Sequence, residues 1–282
     1  MDAAHQASAI AQIVFYAPIV PLTLYVGIRA WKYGPRLAWY PVMAFACARL
    51  TGGALLLASR HDPANRELLT AAIVLLNVGL VPLIMPFHAL TRVVLEENFP
   101  ENKRKKIFIK VTRWLLLGAV ILLSAAGGLI NHPENAKIQA VLSKVAYFEF
   151  VFVLLALMGM AAWLYLASHA RPIEAGQMIY IKWLLITSPF LCIRLVFGAI
   201  SVFKAAGPSI RTSIWSSMFG SAVLFSLMAL LPEYTVLCVF IYLGFHRYHT
   251  ADRYGLIPQT GIFKRRDQKE KEKVSESGTE LV

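Results

Sequence analysis

Charge is scarce in this sequence. Asp, Glu, Lys and Arg make up 16% of its 282 residues, against about 25% in an average soluble domain. Aspartate is scarcest, with four copies, none of them expected within a helix. With 57% hydrophobic residues and a mean hydropathy of +0.58, the chain is no disordered polymer, and the same figures speak against a soluble globular enzyme. Cysteine is almost missing too. Cys47, Cys192 and Cys238 all fall in apolar stretches, so neither a disulfide framework nor a zinc site is indicated. No Walker, GxGxxG or GxSxG pattern occurs, and neither does the aspartate-rich magnesium motif of prenyltransferases or the histidine box of desaturases. His88, His132 and His246 are not spaced as a metal set. No cofactor and no metal is therefore expected. No basic region precedes Ser8, and the apolar segment after it is too long for a signal peptide, so the first helix is expected to be a retained anchor.

What the sequence does have is long apolar runs. Seven can be read, from about Ser8 to Ile28, Leu37 to Ala58, Leu68 to Leu90, Val111 to Ile130, Val145 to Ser168, Ile179 to Phe203 and Ile214 to Phe245. Each is long enough for a hydrocarbon core of about 30 Å, which takes about 20 helical residues. Backbone groups in lipid must be paired within their own segment or in a closed barrel, and the alternating strands of a barrel are absent. The expected fold is an all-α membrane protein with seven transmembrane helices. The last run is overlong and should tilt, bend at Pro232 or leave the bilayer. Residues 1–250 form the transmembrane domain on this reading. Residues 251–282, ending KRRDQKEKEKVSESGTELV, form a disordered charged tail.

The net charge of +12 comes from 28 Lys and Arg against 16 Asp and Glu. Twenty of the 28 lie on the links after the first, third and fifth runs, in the opening turn of the run that follows, or on the tail; six lie on the alternate links. That bias places the N-terminus outside or in the lumen and the C-terminus in the cytosol. A multi-pass location follows, with the endoplasmic reticulum as the expected membrane. The clusters Lys103-Arg104-Lys105-Lys106 and the basic half of the tail adjoin spans. They are either solvated topology markers or surfaces lying on an anionic leaflet. The bilayer, not nucleic acid, is the expected partner.

The second and sixth runs share a pattern. Phe45-Ala-Cys47-Ala-Arg49-Leu50 and Phe190-Leu-Cys192-Ile-Arg194-Leu195 both fit F-x-C-x-R-L, each with a glycine within the next turn. Leu80-Val81-Pro82 is echoed by Leu230-Leu231-Pro232, and Leu24-Tyr25 by Leu164-Tyr165. Helices 1–3 are thus candidates for a parallel repeat as helices 5–7, with helix 4 as the linker.

Arg49 and Arg194 are the two basic residues deep inside runs; Arg113 and Lys182 lie in the opening turn of theirs. An ionised Arg at mid-bilayer costs about 2.5–3.5 kcal/mol on insertion scales, so each should have an inward-facing partner. Glu233, beside Pro232, is a mid-depth carboxylate, and Asn77 lies at similar depth in the third run. Glu149 is expected about a turn inside the outer end of the fifth helix, and His88 near the inner end of the third. Two readings stand. Either Glu233 only locks the bundle as a salt-bridge partner, or these groups line a polar cavity that meets a ligand. Two Arg against one carboxylate leave a surplus positive charge, which suits an anionic or strongly hydrogen-bonding group. Glu233 serves as an acid only if it is desolvated and turned away from the Arg side chains.

The segments around Arg49, Asn77-Val-Gly79-Leu-Val-Pro82-Leu, Pro189-Phe190-Leu-Cys-Ile-Arg194-Leu and Leu231-Pro232-Glu233-Tyr234 carry a resemblance. Over about residues 8–250 the chain resembles a family of fungal seven-helix integral membrane proteins of unknown function. In size and topology it is also similar to the small membrane-bound terpene cyclases of fungal meroterpenoid pathways. Those protonate an epoxide or olefin with an intramembrane carboxylate; no motif of theirs is present, so no catalytic residue carries over. The architectural likeness implies a cyclase or isomerase acting on a lipophilic, epoxidised terpenoid of secondary metabolism. Glu233 would be the acid, with Glu149 second. Arg49, Arg194, Asn77, His88 and Tyr234 would bind substrate, and Tyr234, Phe190 and Trp183 would face a cationic intermediate. The rivals are a small-molecule transporter, suggested by the repeat and the Pro-bearing helices, and a receptor-like sensor.

Overall fold

In a computed structural model of the chain, the residues described are 3–33, 36–61, 68, 71, 72, 75, 78–99, 103–129, 133–169, 173, 175–204, 213–215 and 220–254. Every regular element among them is helical. In order these are α1 (Ala3–Tyr33), α2 (Arg36–His61), α3 (Val81–Asn98, entered through the 3-10 turn Val78–Leu80), α4 (Lys103–Gly128), α5 (Ala136–Ala167), α6 (Ala175–Lys204) and α7. The last opens as Ala222–Phe225, passes through a π-helical segment at Ser226–Leu230 and continues as Leu231–Tyr254. Six of the seven are long and apolar enough to cross a membrane. The exception is α3, whose 18 residues include Arg92, Glu96 and Glu97.

Several helices outrun the apolar run that announced them. α4 starts at Lys103 instead of Val111, because KRKKIFIK consists largely of good helix formers that need no lipid. α5 starts at Ala136 instead of Val145 for the same reason, with Ala, Gln, Leu and Lys in its leading turns. α7 runs to Tyr254, so Asp252 is helical, against expectation, and so are the first residues assigned to the tail. Residues 255–282 lie outside those described.

α3 occupies the middle. It lies against α2, α4, α5, α6 and α7 and is buried along most of its length, from Val81 to Leu95. Leu83, Ile84, Phe87 and Leu90 form one apolar core with Phe150, Leu154 and Leu157 of α5, Leu191 of α6 and Leu237 and Phe240 of α7. Pro82 sits in the first turn of α3, where a missing N–H leaves no bond unmade. Each helix packs on the next in sequence, α3 included, and α7 returns to α1.

The outer surface carries many large apolar side chains. Phe148 is 73% exposed, Ile28 68% and Trp114 64%. Exposed aromatic and aliphatic surface on this scale is stable against lipid, not water, so the chain is a multi-pass membrane protein.

Close helix contact depends on glycine at one site in particular. A Cβ at Gly244 of α7 would lie 2.6 Å from Val26 Cγ1 on α1 and 3.3 Å from the Trp39 ring on α2. Gly244→Ala should therefore lower stability by about 1–3 kcal/mol through overpacking, read as a lower thermal-unfolding midpoint of the detergent-solubilised protein. An unchanged midpoint would show that this helix contact is loose.

Candidate functional site

Glu233 is fully buried, and so, within a few per cent, are Arg49 and Arg194. The chain's local chemistry brings all three to one point. Pro232 has no N–H, and its ring would clash with the carbonyl one turn earlier if the α-helix continued unbroken. The turn before it widens instead: the Leu231 N–H donates to the Ser226 carbonyl across a π-helical step, and Glu233 follows. Such π-turns inside helices recur at functional sites. In the apolar segment Ala222–His246, Glu233 is the twelfth of 25 residues; Arg49 is the twelfth of 22 in Ala38–Ser59. Both are central in their spans.

One carboxylate oxygen takes both cations. Arg49 Nη2 and Arg194 Nε each donate to Glu233 Oε1. Charge-assisted bonds of this kind are the strong ones, and three ions in an apolar interior need them. Each guanidinium also lies over an aromatic face: Arg49 over Phe45 at 5.4 Å and Arg194 over Phe197 at 6.0 Å. The Tyr147 hydroxyl of α5 lies within electrostatic range of Arg194, and both border Gly198. Gln12 of α1 donates to the Arg49 carbonyl at 2.8 Å, which ties the Arg-bearing turn of α2 to α1.

Two glycines make the room. A Cβ at Gly79 would collide with Arg49 Nη2 and stand 2.8 Å from Glu233 Oε1. A Cβ at Gly198 would stand 2.5 Å from Tyr147 Cε1 and 3.0 Å from Arg194 Nη1.

The centre is not saturated. Among the described residues, Glu233 Oε2, Arg49 Nε and Nη1 and the Tyr16 hydroxyl are buried without a hydrogen-bond partner. Tyr16 lies within electrostatic range of Glu233, Arg49 and Arg194, with its ring edge-on to Phe45 and Tyr234. An acceptor, two donors and a hydroxyl thus remain unused around one ion cluster. Buried polar groups are nearly always satisfied, so this concentration marks a place for a further polar group.

Residues 3–250 match the model of a family described as a domain of unknown function, DUF7702. The chain belongs to that family. No curated protein and no solved structure matches this DUF7702 chain. Its site is therefore read from its own geometry.

Of the residues singled out from sequence, Arg49, Arg194 and Glu233 converge, and Tyr234 lies alongside through its contact with Tyr16. Glu149 does not join them. It is the fourteenth residue of the 32-residue α5, near mid-helix and not one turn from its end. Two residues apart on a helix is about 200°; Tyr147 faces Arg194, while Glu149 faces Gly118 of α4, where Oε2 lies 3.4 Å from the position of an added Cβ. His88 is buried at the α3–α4 contact, 3.3 Å from the Ile109 carbonyl. Nine residues separate it from Gly79, about 13 Å of helical rise. Trp183 packs on Tyr242 at 5.3 Å, and Phe190 is part of the packing around the core. Asn77 lies outside the described residues. Gln12, Tyr16, Gly79, Tyr147 and Gly198 were not anticipated as site residues.

Proposed function

We propose that this DUF7702 protein binds a lipophilic small molecule at mid-membrane, with its polar head in the Arg49–Glu233–Arg194 centre, and cyclises or isomerises it by acid catalysis. The observation that supports this most is the set of unpartnered atoms at that centre: Glu233 Oε2, Arg49 Nε and Nη1 and the Tyr16 hydroxyl. A bond-locking salt bridge needs no such surplus. A ligand carbonyl, phenolate or epoxide oxygen would suit the donors, and an apolar remainder would suit the bundle's side chains. Both Arg engage Oε1, so the condition for an acid, a carboxyl oxygen turned away from the Arg side chains, is met by Oε2 alone, and the proposed chemistry runs through the form of Glu233 that carries a proton on Oε2 rather than through the carboxylate of the ion triad. Delivered to an epoxide oxygen, that proton lets the adjacent C–O bond open as an alkene π pair attacks the carbon. Loss of a proton from the final cation to the carboxylate restores the acid, and the step is redox-neutral. The proposed substrate class is an epoxidised prenylated terpenoid, and the proposed membrane is that of the endoplasmic reticulum.

The topology proposed with it has seven crossings, the seventh being the stretch that ends in α3, with the N-terminus outside or in the lumen. Microsomes containing the protein and an epoxidised prenyl-phenol should yield a cyclised isomer of unchanged mass. Glu233→Gln should lower that yield by at least about 10²-fold, the usual scale of general-acid assistance. Product at the wild-type rate in that variant would remove Glu233 from the chemistry.

A second reading, transport of the same class of molecule, is favoured by the packing. α3 lies against α5 and α6, α7 lies against α1 and α2, and α3 and α7 touch each other. That exchange pattern suits a parallel repeat of α1–α3 as α5–α7, with the repeated Arg49 and Arg194 meeting on the shared Glu233. A transporter would change the cellular accumulation of the compound and leave its structure intact.

A further inference from the structure

α4 carries a second feature, unconnected with the ion cluster. Lys103, Lys106, Lys110 and Arg113 are all exposed and recur at three- and four-residue steps, so they form one stripe along the helix. The same stripe continues as Trp114 and Ile121, which are 64% and 66% exposed on the lipid-facing side. The opposite face, with Ile109, Thr112, Leu116 and Ala119, is the buried one. The cations therefore point toward lipid and not into the bundle. Lys105 shows the contrast. It turns inward, with Nζ 3.2 Å from the Phe99 ring centre and 3.9 Å from that of Trp163, and clips the α3 end to α5.

Length adds an independent constraint. A hydrocarbon core takes about 20 helical residues, and α4 runs from Lys103 to Gly128. Counted back from Gly128, the core reaches Ile109, which puts Lys110 and Arg113 at its boundary. A lipid-facing cation at that depth must reach up along its own stem to an anion in the headgroup layer. Among the described residues none of the four forms an ion pair with the protein.

We propose that the Lys103–Lys106–Lys110–Arg113 stripe is a binding site for the phosphate-bearing headgroup of an anionic phospholipid in the cytosolic leaflet. The acyl chains of that lipid would lie along Trp114 and Ile121. The charge complementarity is four cations against a phosphodiester and its anionic headgroup.

The test uses the full chain in phosphatidylcholine vesicles with increasing fractions of brominated phosphatidylserine. Quenching of Trp114 is read as the difference from Trp114→Phe. Brominated phosphatidylserine should quench at lower mole fraction than brominated phosphatidylcholine. That preference should fall roughly fivefold with Lys110→Gln or with Arg113→Gln, about the contribution of one cation near an anionic leaflet. It should disappear in K106Q/K110Q/R113Q and be kept in K106R/K110R. The single variants keep the test decisive if the triple variant does not fold. Excess inorganic phosphate should leave the quenching unchanged. Displacement by phosphate would make this a site for soluble anions, and equal quenching by the two lipids would reduce the stripe to a topology marker; either result overturns the proposal.

Discussion

Replacing Glu233 with Gln should destabilise the protein by about 3–5 kcal/mol, the cost of leaving buried charges without their counter-ion. Two guanidinium groups share that carboxylate, so no single substitution elsewhere in the cluster strands as much charge. Arg49→Met or Arg194→Met leaves a neutral Arg–Glu pair and should cost less. The ordering of the three thermal midpoints in detergent checks the geometry: Glu233→Gln lowest, both Arg variants between it and the wild type. Equal losses would mean that the two Arg side chains do not share one acceptor. The apolar triple variant R49M/R194M/E233L should recover stability to about the wild-type level or above it, because well-packed apolar replacements of a buried ion triad are commonly neutral or stabilising by about 1–4 kcal/mol.

The second large effect should come from a methyl group. Gly79→Ala places a Cβ on Arg49 Nη2 and 2.8 Å from Glu233 Oε1. Backbone in the 3-10 turn or the ion pair itself must give way, at about 1–3 kcal/mol. The functional loss should exceed the stability loss, since the displaced atoms are those that would meet the ligand. Activity and melting temperature measured on the same preparation distinguish the two. A Gly79→Ala protein with normal turnover would show that the Arg49–Glu233 contact can be moved without consequence.

Both effects concern residues of unequal visibility in the sequence. Arg49, Arg194 and Glu233 stood out because charge inside an apolar run is costly, and cost implies a partner. Pro232 signalled a local break, which became the π-turn that positions Glu233. Tyr16, Tyr147 and Gln12 gave no such signal. Hydroxyl-bearing aromatics and single amides are ordinary in membrane helices, and their role here arises from which helix they face. Gly79 and Gly198 matter for the volume they leave, a property of two elements meeting that neither element displays alone. Hydropathy puts Glu149 too near a helix end because it marks the lipid-embedded part of a helix and not its full length; α5 begins nine residues before the apolar run does. The all-helical membrane architecture was readable from run length alone, whereas the central position of α3 was not. Its charged last turns, with Arg92, Glu96 and Glu97, look like a loop in hydropathy but are tied down by hydrogen bonds, among them Asn98 to the Val94 carbonyl and Gln177 to Glu97.

The Arg49–Glu233–Arg194 centre is proposed to meet a ligand and not only to hold helices together. The triple variant R49M/R194M/E233L separates these roles in a single comparison. Its thermal midpoint and its conversion of an epoxidised prenyl-phenol are measured beside the wild type, with the midpoint shift on adding that compound recorded for both. A folded, stable variant that gives no product and no ligand-induced shift is the expected result. A stable variant that still converts or binds the compound as the wild type does would contradict it.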